Sequence, residues 1–344
     1  MRIAIDARKI ADFGIGTYIR GLLGGLARIG GTDQYVILAP RDAEGIPSGF
    51  EHVVVDSPHY SVRELMQVGW EARRAGASLI HAPHYVLPFS PLPAVVTIHD
   101  LIHLRTRHRN PLASIYARSM IGRAVRTSQR VLTVSAAVKE DILATFRCDP
   151  EKVVVTSNGV DDFFREAIPN PSPSRYFLYV GNDKPHKNVE RMVEAFSRVR
   201  STAPDLRLVM AGARFARFAP RAGIVTAGFV SRDELRKLYR GALALLQPSL
   251  DEGFGLPAAE AMASGTAVIA SSAPALVEVT GDAALHVDAL SVESIAAAME
   301  QLAADDLLRI ALGNRGVERA RAMTWKRCAE VTRQVYLDVL GITK

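Results

Sequence analysis

The sequence predicts an α/β protein built from two Rossmann-like, doubly wound domains that face each other across a cleft. Three observations carry this. Short β-like runs alternate with helical stretches along most of the chain. The alternation breaks once, where Pro169, Pro171 and Pro173 crowd into five residues, and then resumes. The chain has 344 residues, 48% of them hydrophobic, which suffices for two separate cores.

In chain order, the first set of apolar runs is 2–6, 35–39, 52–56, 78–82, 94–100, 130–135 and 152–156. Helical stretches such as 14–30 and 136–146 lie between them. These elements predict an N-terminal domain over 1–168. The second set is 176–181, 206–212, 223–230, 242–249, 266–271 and 284–288, with helices such as 188–200 and 232–240. They predict a C-terminal domain over 169–323. The stretch 324–344 opens on an amphipathic pattern, "TWKRCAEVTRQVYLDVL", which predicts a final helix. In open α/β sheets, ligands bind at the carboxyl ends of the strands, so the loops there are where chemistry is expected.

Composition narrows the function. Cys148 and Cys328 are the only cysteines, so a disulfide framework and a cysteine-built metal site are excluded. The N-terminal "MRIAIDARK" meets charge too early for a signal peptide, and no apolar run approaches the roughly 20 residues of a membrane span. A cytoplasmic protein is expected. The net charge is +6, yet no Asp or Glu occurs from Leu101 to Val138, where Arg105, Arg107, Arg109, Arg118, Arg123, Arg126 and Arg130 fall. Arg118, Arg126 and Arg130 are spaced by multiples of four, as along one side of a helix within 111–130. Either this face meets an anionic partner or it is simply solvated.

The most informative stretch is "DEGFGLPAAEAMASG" at 251–265. It follows the apolar run "ALALLQPS", so it sits at a strand end. Gly253 and Gly255 allow a tight turn, Pro257 suits a first helical turn, and Gly265 suits a helix stop. A glycine turn at a helix N-terminus attracts an anion such as phosphate. Glu252 and Glu260 would repel that phosphate and instead suit the hydroxyl-rich parts of the same ligand. Hydroxyls flanking a phosphate describe a nucleotide sugar. The plainer reading, in which Glu260 complements the helix end and Glu252 is a loop acid, stays open.

Three more loops follow strands. "VGNDKPHKN" brings Lys184 and Lys187, either of which suits a diphosphate or is an ordinary loop lysine. "VVTIHDLIH" ends a strand on His99, a cleft residue or a structural histidine. "DFGIGTYIR" carries Gly14 and Gly16, but Ile19 stands where a dinucleotide fingerprint needs its third glycine. No Asp-X-Asp metal motif, P-loop or Gly-X-Ser-X-Gly elbow is present.

"EGFGLPAAE" resembles the E-x7-E motif of retaining glycosyltransferases of the GT-B fold, specifically family 4. "IDARKIADFGIGTYIRGLL", "TIHDLIH", "TVSAAVKEDI", "NGVDDFF" and "YVGNDKPHKN" fall in the family's order. So do "AGFVSRDELRKLYRGA" and the closing "TWKRCAEVTRQVY". The opening motif resembles the mannosyltransferase-like branch.

The resemblance implies roles. Glu260 would bond the ribose hydroxyls and Glu252 the donor-sugar hydroxyls. The backbone from Gly253 through Phe254 and Gly255 to Leu256 would face sugar and diphosphate. Lys187 would hold the diphosphate, His99 would sit beside the donor sugar, and Gly14 and Gly16 would close over the phosphates. The final helix would cross back to the N-terminal domain. Where the family places an arginine near the lysine, this chain has Asn182 and His186, so either Lys184 supplies the second cation or the diphosphate is held more weakly.

The implied reaction moves a hexose, mannose-like by the branch, from a GDP- or UDP-sugar to a glycan or lipid-linked diphosphate acceptor. It proceeds with retention, without metal or other cofactor and without nucleic acid. The acid-free window and Arg118, Arg126 and Arg130 would face the acceptor at an anionic inner membrane surface. Two other readings stand beside this one: a nucleotide-dependent oxidoreductase, and a catalytically silent nucleotide-sugar-binding protein of the same fold.

Overall fold

The computed structural model describes residues 1–56, 62–105, 111–167, 175–212 and 215–342. The proline cluster at 169–173, together with Arg107 and Arg109, lies outside the described residues. The chain forms two compact units. One comprises Met1–Gly159 with Thr324–Lys344, and the other Val160–Met323. The boundary falls at Gly159, not after residue 168, because the segment that follows is tied to the second unit. Asp161 pairs with Arg232 at 2.6 Å, and Arg165 donates to the carbonyls of Ala320 and Met323.

Among the described residues the first unit holds seven strands. They are β1 (Arg2–Asp6), β2 (Gln34–Ala39), β3 (Glu51–Val54), β4 (Leu79–Ala82), β5 (Ala94–Ile98), β6 (Arg130–Thr133) and β7 (Val153–Val155). They pair in the order β3-β2-β1-β4-β5-β6-β7, all parallel. Helices α1 (Phe13–Ile29), α2 (Val62–Arg74), α3 (Ile102–Arg105), α4 (Pro111–Thr127) and α5 (Ala136–Phe146) connect them. The central strands are wholly buried, which is why they read as unbroken apolar runs rather than alternating ones.

The second unit holds β8 (Tyr176–Gly181), β9 (Arg207–Gly212), β10 (Ile224–Gly228), β11 (Ala244–Gln247), β12 (Val268–Ser271) and β13 (Ala284–Val287). They pair in parallel as β10-β9-β8-β11-β12-β13. Its helices are α6 (Val189–Thr202), α7 (Arg232–Gly241), α8 (Leu256–Ala263), α9 (Pro274–Thr280), α10 (Val292–Ala304) and α11 (Asp306–Ala320).

In each sheet the strand order reverses once, at β1/β4 and at β8/β11. The loops leaving paired strands at such a point diverge to opposite faces and open a crevice. Both units therefore carry a ready ligand position at a place fixed by topology alone.

The last helix, α12 (Trp325–Leu340), belongs to the first unit and lies against α1. The approach is very close. A Cβ on Gly21 would sit 2.2 Å from the Trp325 ring, and one on Gly25 2.3 Å from the Trp325 carbonyl oxygen. The two glycines, one helical turn apart, admit the helix and its indole.

Candidate active site

At the β8/β11 switch point the structure joins two of the singled-out loops. After β8 the chain makes a 3-10 turn over Pro185–Lys187 that ends on Asn188 in the left-handed region, at φ 58°. Asn188 is buried and donates to the carbonyls of Pro248 and Ala289, at 3.0 and 2.6 Å. The backbone of Leu250 donates to the His186 carbonyl at 2.7 Å. The lysine loop is thus pinned to the segment that follows β11.

That pinning brings Lys187 and Glu252 together. Lys187 Nζ lies 2.7 Å from Glu252 Oε1, which also accepts from Ser249 Oγ at 2.8 Å and Gln247 Nε2 at 2.9 Å. Burial pushes the Glu252 carboxyl up, but the Lys187 charge and these hydrogen bonds more than offset it and hold the group below its ordinary value. Glu252 is therefore ionised. All three donors crowd onto Oε1, and Oε2 accepts from no protein group among the described residues. One oxygen anchors the acid and the other is open to ligand hydroxyls.

Gly255 caps the N-terminus of α8 at φ 93°, and a Cβ there would meet Leu276 Cδ2 at 2.4 Å. Two independent demands thus require glycine. Gly253 and Phe254 are buried and Leu256 half-buried, so what this turn offers a ligand is backbone and the positive end of α8. Glu260 lies on α8, where Tyr239 of α7 donates to its Oε2 at 2.8 Å. Burial dominates here and raises the Glu260 carboxyl to about 7, against the Tyr239 hydrogen bond and the Arg232 charge. The two acids of the motif differ sharply: one is held ionised and the other is poised near neutrality. Lys184 is exposed, with no side-chain partner among the described residues.

The other residues that the sequence singles out lie in the first unit. Gly14 and Gly16 fall in the opening turn of α1, not in a free loop. A Cβ on Gly16 would lie 2.4 Å from the Ile10 carbonyl oxygen, so packing alone requires that glycine. A Cβ on exposed Gly14 would meet nothing within 4 Å. Packing does not explain Gly14. His99 follows β5, and its Nε2 lies 2.9 Å from the Pro83 carbonyl. A carbonyl only accepts, so Nε2 carries the proton and Nδ1 presents a lone pair. Burial lowers the His99 pKa, which favours this neutral form.

The His99 ring stands edge-on to Tyr18, with centroids 4.7 Å apart. The Tyr18 hydroxyl meets Thr97 Oγ1 at 3.1 Å, Thr97 meets His81 Nε2 at 2.8 Å, and His81 Nδ1 meets the Tyr336 hydroxyl of α12 at 2.6 Å. Every member of that chain is fully buried.

Comparison with known proteins agrees with this fold. The family model described as Glycosyl transferases group 1 matches residues 160–319, and that described as Glycosyltransferase Family 4 matches residues 14–162. Together they span residues 14–319. The chain belongs to glycosyltransferase family 4.

Among relatives of this glycosyltransferase, O-antigen chain mannosyltransferase B of Escherichia coli is 27% identical over 299 residues, 80% of this chain and 78% of that one. O-antigen chain mannosyltransferase RfbU of Salmonella typhimurium is 33% identical over 235 residues, 65% of each chain. Sucrose-phosphate synthase from Thermosynechococcus elongatus superposes with a TM-score of 0.82 at 20% identity over the whole of both chains. HepE from Anabaena, in complex with UDP and glucose, gives 0.78 at 15% identity over 98% of this chain and all of that one. At such identities the structures establish a shared fold, that of two parallel-sheet α/β domains.

The expected arginine face of the glycosyltransferase needs correction. α4 ends at Thr127, and Arg130 opens strand β6, so of the three spaced arginines Arg118 and Arg126 lie on the helix, together with Arg123, and Arg130 does not. Other arginines of the window are engaged internally. Arg105 pairs with Asp141 at 2.5 Å, and Arg123 donates to the Leu87 carbonyl while lying 4.4 Å from the Phe89 ring centroid. Ile121 and Val125 are core residues, whereas Ile115 is exposed.

Sequence reasoning missed Gln247, Ser249, Asn188, Tyr239 and Tyr18. Only Gln247 and Ser249 carried a signal, as polar residues closing an apolar run at a strand end.

Proposed function

We propose that this glycosyltransferase moves a hexose, with mannose favoured, from a nucleoside-diphosphate sugar to a glycan or lipid-linked glycan, with retention and without a metal. The observation that carries the reading is the Lys187–Glu252 pair at the second switch point, beside the glycine-capped start of α8 and eight residues before Glu260. A diphosphate suits Lys187, Lys184 and the α8 N-terminus. Sugar hydroxyls suit Oε2 of Glu252, and ribose hydroxyls suit Glu260. The UDP and glucose bound by HepE and the mannosyl transfer named for the O-antigen enzymes support the donor class.

In the reaction, the bond from the anomeric carbon to the diphosphate oxygen breaks and a bond to the acceptor oxygen forms on the same face. The acceptor proton passes to the departing diphosphate. The protein stabilises the leaving charge through its cations and helix end, and no covalent sugar intermediate is required. His99, neutral with an available Nδ1, is assigned to a donor-sugar hydroxyl.

The acceptor is proposed to be met at an anionic membrane surface. Among the described residues no helix is long and apolar enough to cross a membrane. On the first unit, however, Met66, Trp70, Phe89 and Ile115 are exposed, and cations lie among them. Arg74 lies 5.3 Å from the Trp70 ring centroid, Arg123 lies over Phe89, and Arg118 and Arg126 are exposed on α4. Apolar side chains set among cations suit the interface of a bilayer rich in anionic lipid.

A thermal-shift screen of GDP-, UDP- and ADP-sugars in EDTA tests the donor assignment, since a ligand that binds only the folded state raises the melting temperature. Stabilisation by one nucleotide class, lost in Glu252→Ala and Glu260→Ala, is expected. Stabilisation by NAD alone would favour an oxidoreductase.

A further inference from the structure

Glu260 reaches its position through a residue that no sequence motif marks. Tyr239 sits in the last turn of α7, wholly buried, with its ring edge-on to Phe164 at 5.7 Å between centroids. Its carbonyl accepts from Thr266 Oγ1 at 2.7 Å, so its backbone is tied to the turn between α8 and β12. From this fixed base its hydroxyl donates to Glu260 Oε2 at 2.8 Å. That is the only hydrogen bond to the Glu260 carboxyl among the described residues, and it leaves Oε1 without a protein donor.

We propose that Tyr239 is a positioning residue for nucleotide recognition: its hydroxyl fixes one oxygen of Glu260 and leaves the other for the ribose. The inference rests on the reading of Glu260 as the ribose acid. A ribose diol presents two donors, and a carboxylate held through one oxygen offers them the open one in a fixed orientation. Without Tyr239, both oxygens would be free to rotate and the buried charge would lose its only donor.

The arrangement ties donor affinity to pH. The groups acting on the Glu260 carboxyl are the Tyr239 hydroxyl and Arg232 of α7, which favour its ionised form, and Asp161, which opposes it and is itself paired with Arg232. Ribose hydroxyls donate to the ionised form, so binding should strengthen as pH rises through the Glu260 pKa of about 7. Below it, affinity should fall by up to about tenfold per pH unit, the limit for one linked proton.

Calorimetry with GDP-mannose and UDP-glucose from pH 5.5 to 9 tests this, because neither diphosphate titrates in that range. The parent, Tyr239→Phe and Glu260→Gln are compared. For Tyr239→Phe we expect affinity about tenfold weaker at pH 7, as for loss of a hydrogen bond to a charged group, with the deficit widening toward low pH, where the unassisted carboxyl ionises less, and still present at pH 9, where both carboxylates are ionised but only the parent's is oriented. Equal affinity at every pH, or a deficit that vanishes at pH 9, would overturn the positioning role. Glu260→Gln should bind weakly with no pH dependence, and parent-like binding by it would overturn the ribose reading itself.

Should Tyr239→Phe not fold, proton release by the parent decides. Titration in two buffers of different ionisation enthalpy should show about one proton released at pH 6 and about none at pH 9. Release near zero at both contradicts the proposal.

Discussion

Lys187 and Glu252, on loops that leave adjacent strands, meet at 2.7 Å, and their side chains are only 19% and 8% exposed. The contact places a charged pair at the second switch point. A half-buried pair is also costly to break from one side, because the remaining charge keeps its desolvation penalty and loses its partner. Lys187→Met should therefore destabilise the protein by roughly 2–4 kcal/mol, and the double variant Lys187→Met/Glu252→Gln by clearly less than the two singles summed. Urea unfolding of the four proteins measures the coupling. Strict additivity would show that the pair is not formed in solution.

The glycines of the two switch points should behave in opposite ways. Gly255→Ala forces a side chain into a left-handed backbone and onto Leu276, and should cost more than about 1 kcal/mol of stability. Gly14→Ala meets no protein atom and replaces a helical glycine, so it should be neutral or stabilising by up to about 1 kcal/mol. If α1 opens toward the diphosphate, that variant should still lose donor affinity. Melting curves and donor titration of both variants separate the cases. Full donor affinity in Gly14→Ala removes Gly14 from the site.

Acid stability should depend on Asp6. Burial would raise its carboxyl, but Arg8, bonded to both its oxygens at 2.8 and 2.7 Å, and His84 hold it well below the usual carboxylate range. A depressed folded-state pKa gives stability that is fully present above the unfolded value of about 3.9 and is lost as pH falls through the folded value. Asp6→Asn should cost roughly 3–5 kcal/mol at pH 7, since it removes the carboxylate charge that both Arg8 and His84 face in a buried site, and the difference should shrink toward low pH. Unfolding free energies at pH 7 and pH 3 are the check, and a constant difference would contradict it.

Binding to anionic vesicles should follow the corrected surface. Arg118→Glu/Arg126→Glu should reduce sedimentation with phosphatidylglycerol vesicles, each charge contributing about 1 kcal/mol near an anionic leaflet. Trp70→Ser should weaken it further. High salt should weaken the parent, because the attraction extends over about one Debye length, ~10 Å at 0.1 M. Equal binding by parent and variants at low salt would leave these arginines as a solvated face.

The strands of the described residues were legible because central parallel strands, buried on both faces, read as short apolar runs, and the exposed edge strands β3 and β10 still carry valine or isoleucine; every predicted run overlaps a strand. The E-x7-E loop was legible because glycine, proline and acid each have a positional meaning at a strand-to-helix turn. What the sequence hid is pairing across distance. Nothing in "KPHKN" says that Lys187 will meet Glu252, because that contact arises from strand order. Tyr239 and Tyr336 read as ordinary apolar positions on amphipathic helices, and only tertiary packing shows which polar atom each hydroxyl reaches. Arg130 was misplaced for a related reason: fourfold spacing continues past a helix end, and the helix stops where strand β6 must begin.

The central claim, retaining transfer by this site without a metal, is tested most directly by proton NMR of the first-formed product. The protein is incubated in EDTA with the α-linked nucleotide sugar that the thermal-shift screen selects. The account predicts cleavage of the donor, a product that first appears in the α configuration, and loss of this activity in Glu252→Ala. A product that first appears as β, or turnover that stops in EDTA and returns with magnesium or manganese, would contradict it.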